Sequence, residues 1–266
     1  MQSAIVQFGT DALRLFIWLV ILSAIFIPLE RFFAIAHNDR PRSPVKGEIG
    51  YYFLNNLLPP LLIAMPLAAL AAGGRALLPE AWLALIRGLP FAATLGIALI
   101  LSEIGGYWGH RLSHEWPILW QFHARHHQPA HVNWLTNTHA HPVDMIWSRL
   151  TALFPVYALG FANPTLGEQG MIPVIITLFN AIGSFFIHAN VRWRFGPVEA
   201  LIVTPAFHHW HHANDEWRDH NYATILPVMD RIFGTHHLPD HFPPCYGIDD
   251  EKDMAPLLPF SGERRG

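Results

Sequence analysis

Long apolar blocks, rather than short alternations, dominate the hydrophobic pattern of the chain. The clearest run over about 13–29, 51–72, 83–104 and 171–188, and each approaches the roughly 20 residues a helix needs to cross a bilayer core. A weaker run covers 145–162. The pattern predicts an all-α fold: an integral-membrane helical bundle of about four transmembrane helices, forming a single domain over 1–266. No repeat of fixed period and no low-complexity linker divides it. Pro59, Pro60 and Pro66 interrupt the second block, which predicts a kinked helix or a helix pair. The first ten residues lack a basic start, so 13–29 reads as a retained anchor and not a cleaved signal. Residues 242–266, with their prolines and a Gly-Glu-Arg-Arg-Gly end, read as a peripheral tail.

Polar residues between the blocks set the orientation. Arg31, Arg40, Arg42 and Lys46 accumulate between the first two blocks, and such loops face the cytoplasm. Counting crossings from there, the third block delivers His110 and His114 to the cytoplasmic face. The weaker run then leaves, a turn at Asn163-Pro164 reverses it, and 171–188 returns carrying His188. The intervening polar stretches are expected to form a histidine-rich helical cap on the cytoplasmic side.

Composition supports the membrane class, with 52% hydrophobic and only 14% charged residues. Seventeen Lys plus Arg against twenty Asp plus Glu give a net charge of −3, with no basic block that tracks phosphates, so nucleic acid is not an expected partner. The single cysteine, Cys245, rules out an internal disulfide, a cysteine-based zinc finger and an iron–sulfur cluster held wholly by this chain. Histidine is the outlier: there are eighteen, and all except His37 fall between positions 110 and 241.

Their spacing carries the chemistry. His110 and His114 are four residues apart, on one face of a helix that Pro117 should stop near Glu115. His123, His126 and His127 repeat the i, i+3, i+4 face, and neighbouring His126 and His127 can reach different metals. His208, His211 and His212 form a third such block, with Thr204 and Pro205 as cap and first position of a short helix; His209 points elsewhere. With His188 these make nine candidate metal ligands, enough for two metals with coordination positions left open. An imidazole set suits iron, zinc, copper or nickel alike. Isolated histidines such as His37, His131 and His241 read as surface or satisfied core residues. His139, His141, His236 and His237 are left outside the ligand set. No His-Glu-x-x-His occurs, which sets aside a zinc hydrolase.

The blocks resemble the eight-histidine signature of the sterol desaturase and fatty acid hydroxylase superfamily: His-x-x-x-His followed by two His-x-x-His-His motifs. The resemblance covers about 98–235 and extends to Leu119-Trp120, Asn133, Thr136, His141-Pro142, His188-Ala-Asn190, Thr204-Pro205, Asn221-Tyr222 and Asp230-Arg-Ile-Phe-Gly-Thr235. Members often carry Ser after each double histidine, where this chain has Gln128 and Ala213. The resemblance implies two iron ions, with zinc as a substitute and no bound organic cofactor. It also implies hydroxylation of a lipid C–H bond with O2, and electrons from a separate ferredoxin, cytochrome or reductase. Acceptors that fix imidazole tautomers are expected among Glu103, Asn133, His141, Asp144, Asn190, Asp215, Asp219, Asn221 and Asp230. Trp108, Trp116, Trp120, Trp134, Trp193, Trp210 and Trp217 crowd the same region, as in an interfacial aromatic belt. A lipid desaturase with the same site, and a non-enzymatic membrane metal-binding or transport protein, are the competing readings. No motif chooses among fatty acyl, sterol or hopanoid, and carotenoid substrates.

Overall fold

The structure, a computed structural model, describes residues 2–35, 45–162 and 167–248. His37, Arg40, Arg42, the Asn163-Pro164 turn and residues 249–266 lie outside the described residues. The described chain is helical, and its only β-type pairing is an isolated bridge between Ala213 and Tyr246. The long helices are α1 (Gln2–Phe33), α2 (Val45–Leu77), α4 (Phe91–Glu115), α6 (Pro142–Ala158) and α7 (Ile172–Ile187). The shorter α3 (Glu80–Gly88), α5 (Pro117–His127), α8 (Pro205–His211) and α9 (Val228–Phe233) complete the set. Four segments, Ile5–Phe33, Val45–Leu77, Phe91–Glu115 and Glu168–Ile187, are long and apolar enough to span a membrane. Phe16, Ile21, Leu61, Met65, Phe179 and Ile182 stand exposed on them. Such a surface is costly in water and at home against lipid tails. The protein is an integral-membrane helical bundle.

Two sequence-based boundaries are corrected. The block at 83–104 is not one helix: Leu89, the residue before Pro90, is extended at φ −74° and ψ 142°. Steric conflict between a proline ring and the preceding residue forces that conformation. The amphipathic α3 therefore ends at Gly88, and the spanning helix runs over 91–115. Conversely α2 passes through Pro59, Pro60 and Pro66 as a single helix and not as a helix pair. Pro59 has no N–H for the carbonyl of Asn55, and Arg149 Nη2 donates to that oxygen at 3.0 Å instead.

The weaker apolar run becomes α6, packed against both α2 and α4. Glycine makes the α4 contact close: a Cβ at Gly105 would overlap the Thr151 carbonyl oxygen, and one at Gly109 the Thr151 hydroxyl. Below this contact Ile63, Leu67, Leu153, Val156, Ile172 and Ile176 form an apolar core. At the opposite end Glu30 accepts from the N–H groups of Trp134 and Asn190, and Arg192 N–H donates to the Phe33 carbonyl. These bonds tie the end of α1 to the connecting segments. The end of α1, the start of α2, and the last turns of α4 and α7 thus all meet the same polar layer.

Candidate metal centre

Each histidine block is delivered by a local rule. Helix α4 continues to Glu115, and Trp116, ahead of Pro117, is extended, so His110 and His114 project from the last turns. Helix α5 begins with Pro117 at its first turn and carries His123, His126 and His127 on buried positions. Helix α8 begins after Thr204 with Pro205 at its start and ends at His211, with His212 as its C-cap. His188 is the C-cap of α7.

These elements bring the nine imidazoles into two adjoining groups. His110, His114, His123, His127 and His211 form one; His126, His188, His208 and His212 form the other, and in each group one ligand atom per residue lies within 4.8 Å of every other. His209 stays out: its Nε2–H donates to the Ala189 carbonyl at 3.1 Å, and its Nδ1 accepts from the Tyr246 hydroxyl at 2.9 Å. Tyr246 is buried, so this stretch after 242 packs onto the back of α8.

Outer partners fix the tautomers of six rings. Nδ1–H donates to the Tyr222 carbonyl from His110 (2.8 Å) and to Asp219 from His114 (2.9 Å). It donates to Asp144 from His123 (3.0 Å) and to the His139 carbonyl from His126 (3.3 Å). It donates to the Ser184 carbonyl from His188 (2.7 Å) and to the His220 carbonyl from His211 (2.8 Å). A carbonyl or carboxylate can only accept, so in each ring the proton sits on Nδ1 and the Nε2 lone pair faces inward.

This arrangement tests whether the residues fit a metal. His126 and His188 both lack a proton on Nε2, yet these nitrogens lie 3.1 Å apart. His123 and His127 Nε2 are 3.2 Å apart, and His188 and His208 Nε2 3.0 Å. The facing lone pairs of His126 and His188 repel unless a cation lies between them. Two nitrogens bound at about 2.1 Å to one metal and roughly at right angles are about 3 Å apart. The buried Nε2 atoms of His114, His211 and His212 have no hydrogen-bond partner, as ligand atoms would not. Burial, the largest cause, holds His126, His127, His208, His211 and His212 well below the usual imidazole range and pushes His188 down to about 3. The rings are therefore neutral and ready to ligate at ordinary pH. The donor set fits two metal ions.

Of the expected outer partners, Asp144 and Asp219 touch candidate ligands; the others bond to backbone. Glu103 accepts from the N–H groups of Thr224, Ile225 and Leu226, and Asp230 from those of Tyr222 and Ala223, so both fix the strand of loop whose Tyr222 carbonyl holds His110. Asn221, at φ 59°, bonds Phe207 and His237 main-chain groups. Asn133 caps the turn at 134–138, His141 caps α6, Asp215 caps the turn at 216–219, and Asn190 accepts from Ile35 N–H. Four of the six ring acceptors are main-chain carbonyls, which no side-chain motif announces. The pair of half-buried His139 and buried Glu48, 3.0 Å apart, joins α2 to the carbonyl that holds His126. The tryptophans divide: Trp108 and Trp116 are exposed, Trp134 and Trp210 are buried inside the protein, and Trp120 packs on His114 and His127.

A cavity of about 700 Å³ opens from His110, His123, His126, His188 and His208 between α2, α4, α6 and α7. Its far walls are largely apolar, with Ile63, Leu67, Leu153, Val174 and Leu178.

Fold and site together define a polytopic membrane protein whose two adjoining histidine groups could hold metal and face a cavity inside its helices. The family model described as fatty acid hydroxylase matches residues 95–235, and the chain belongs to that family. Relatives include an ornithine lipid hydroxylase, OlsE, of Rhizobium tropici, 32% identical over 163 residues that cover 60% of this chain and 45% of the relative. Alkylglycerol monooxygenase of Homo sapiens is 33% identical over 146 residues, 54% of this chain and 30% of its own. Methylsterol monooxygenase 2-2 of Arabidopsis thaliana is 28% identical over 193 residues, 70% and 65% of the two chains. This chain spans less than half the length of the first two. No solved structure matches it.

Proposed function

We propose that the protein is a membrane di-iron oxygenase that hydroxylates a lipid C–H bond with O2 and electrons from a separate ferredoxin, cytochrome or reductase. The observation that carries this reading is the pair of imidazole groups opening onto a cavity between membrane helices. Relatives named for ornithine lipid, alkylglycerol and methylsterol support a lipid substrate. One iron would be held by His110, His114, His123, His127 and His211, the other by His126, His188, His208 and His212. The bound irons would supply O2 activation and the oxidation of carbon.

This chain's residues contribute ligand geometry, access and orientation. Asp144, Asp219 and four main-chain carbonyls hold six of the rings against rotation, so that the inward nitrogens of these six keep their lone pairs available. The cavity would admit a lipid, and its largely apolar walls would align the chain past His110, His126 and His188. A cytoplasmic placement of the site is supported by Arg31, Arg40, Arg42 and Lys46, which gather in the sequence between the first two apolar blocks.

The test is expression in a lipid-producing host and mass spectrometry of extracted lipids. The wild type should add one oxygen to one lipid class, and His126→Ala or His211→Ala should abolish the product. Loss of two hydrogens would instead assign a desaturase. Unchanged lipids with iron-loaded protein would point to metal binding without oxygen chemistry.

A further inference from the structure

Arg149 is the feature of the cavity that an alkyl chain does not explain. It lies on α6 five residues after Asp144, roughly 7.5 Å along the helix axis, and lines the same cavity as His110, His126 and His188. A guanidinium has five N–H donors; Arg149 Nη2 serves the Asn55 carbonyl. The two carboxylates in the cavity wall are engaged elsewhere, Asp144 with His123 and Glu103 with the backbone of 224–226. Arg14, also in the wall, pairs with Asp11. Among the described residues no carboxylate lies within ion-pair distance of Arg149. A cation between membrane helices without a counter-charge is costly and marks a partner that arrives from outside. Ser102 Oγ, a further cavity-lining group that can donate, is buried with no hydrogen-bond partner. A hydrocarbon tail would leave this hydroxyl unsatisfied and Arg149 without a counter-charge.

We propose that Arg149 receives an anionic oxygen group, carboxylate or phosphate, at the polar end of the lipid. The head end then enters the cavity, and the C–H bond presented to the histidine layer lies within a few bonds of that group and not at the far end of the chain. The position of oxidation rests on the oxygenase reading above; the binding does not.

The experiment is native mass spectrometry of the metal-loaded full chain in detergent, with hexadecanoate, hexadecyl phosphate or hexadecanol added. Wild type should retain at least one anion about tenfold or more over the alcohol, as charge-assisted hydrogen bonds to an arginine allow. The better of the two anions identifies the head group. Arg149→Gln should erase the preference and Arg149→Lys keep part of it, with metal content of the Gln variant unchanged and its melting temperature lowered by loss of the bond to the Asn55 carbonyl. Equal retention of all three lipids by wild type, or a preference that survives Arg149→Gln, would overturn the proposal. Should Arg149→Gln fail to fold, the wild-type comparison and the Lys variant decide. Anion preference without lipid oxidation would remove the oxygenase reading and leave this inference standing, and oxidation without anion preference would do the reverse.

Discussion

Asp144 occupies the first turn of α6, buried, with its carboxylate 3.0 Å from Nδ1 of His123. It accepts a hydrogen bond from Nδ1–H and so keeps the ring proton off the inward-facing nitrogen, and a charged acceptor also makes the imidazole a stronger donor to metal. Asp144→Ala leaves Nδ1 without this acceptor and should lower metal affinity by about 10–100-fold. Asp144→Asn keeps an acceptor oxygen but loses the charge, so its loss should be smaller. Competition with a chelator, followed by metal analysis, orders the three proteins; equal retention would mean that ring orientation is fixed by packing alone. At this scale the candidate ligand rings were legible because their spacing of three and four residues puts them on helix faces. Their outer partners were legible only at Asp144 and Asp219. Glu103, Asn133, Asn190, Asn221 and Asp230 have the right chemistry but bind main chain, and whether a polar group meets a ring or a loop is decided by tertiary approach.

Helices α4 and α6 approach so closely at Gly105 and Gly109 that Thr151 occupies the space a side chain would need. That contact sets where His110, one residue after Gly109, stands relative to Asp144 on α6. Gly109→Ala forces the helices apart, an overpacking change that costs about 1–3 kcal/mol. It should reduce bound metal as well as melting temperature, whereas Gly96→Ala on the same helix, where a Cβ meets nothing within 4 Å, should leave both unchanged. Loss of stability without loss of metal would separate the contact from the site. The element pattern shows what hydrophobicity resolves and what it does not. Four spanning segments were visible as apolar blocks, but hydropathy ran α3 into α4, because Leu89 and Pro90 are apolar while being a backbone break. The prolines of α2 left a kinked helix and a helix pair open, and the pair is excluded: within a bundle a freed carbonyl finds another donor, as Asn55 finds Arg149, and the helix continues.

Across the whole molecule, the concentration of buried imidazoles sets the response to acid. His126, His127, His188, His208, His211 and His212 are all lowered, first by burial and then mostly by neighbouring histidines. Below the ordinary imidazole value of about 6.5 the unfolded chain takes up protons that the native site refuses, so the native state holds fewer protons and stability falls as pH falls. Each group contributes at most about 1.4 kcal/mol per pH unit; six acting together rival the whole stability of an ordinary domain, about 5–15 kcal/mol, within roughly one to two units. Asp230 works against them, since burial raises its carboxyl to about 6, and its stabilising protonation grows as pH falls from 6 towards 4. One carboxyl cannot offset six rings. The metal-free protein should therefore lose its tertiary structure between about pH 6.5 and 4.5. Metal bound only to neutral imidazoles should move that midpoint to lower pH. Tryptophan fluorescence followed through an acid titration reads the transition, since Trp120 packs directly on His114 and His127. A midpoint that metal does not shift would mean that the histidines are buried for packing and hold no ion in common.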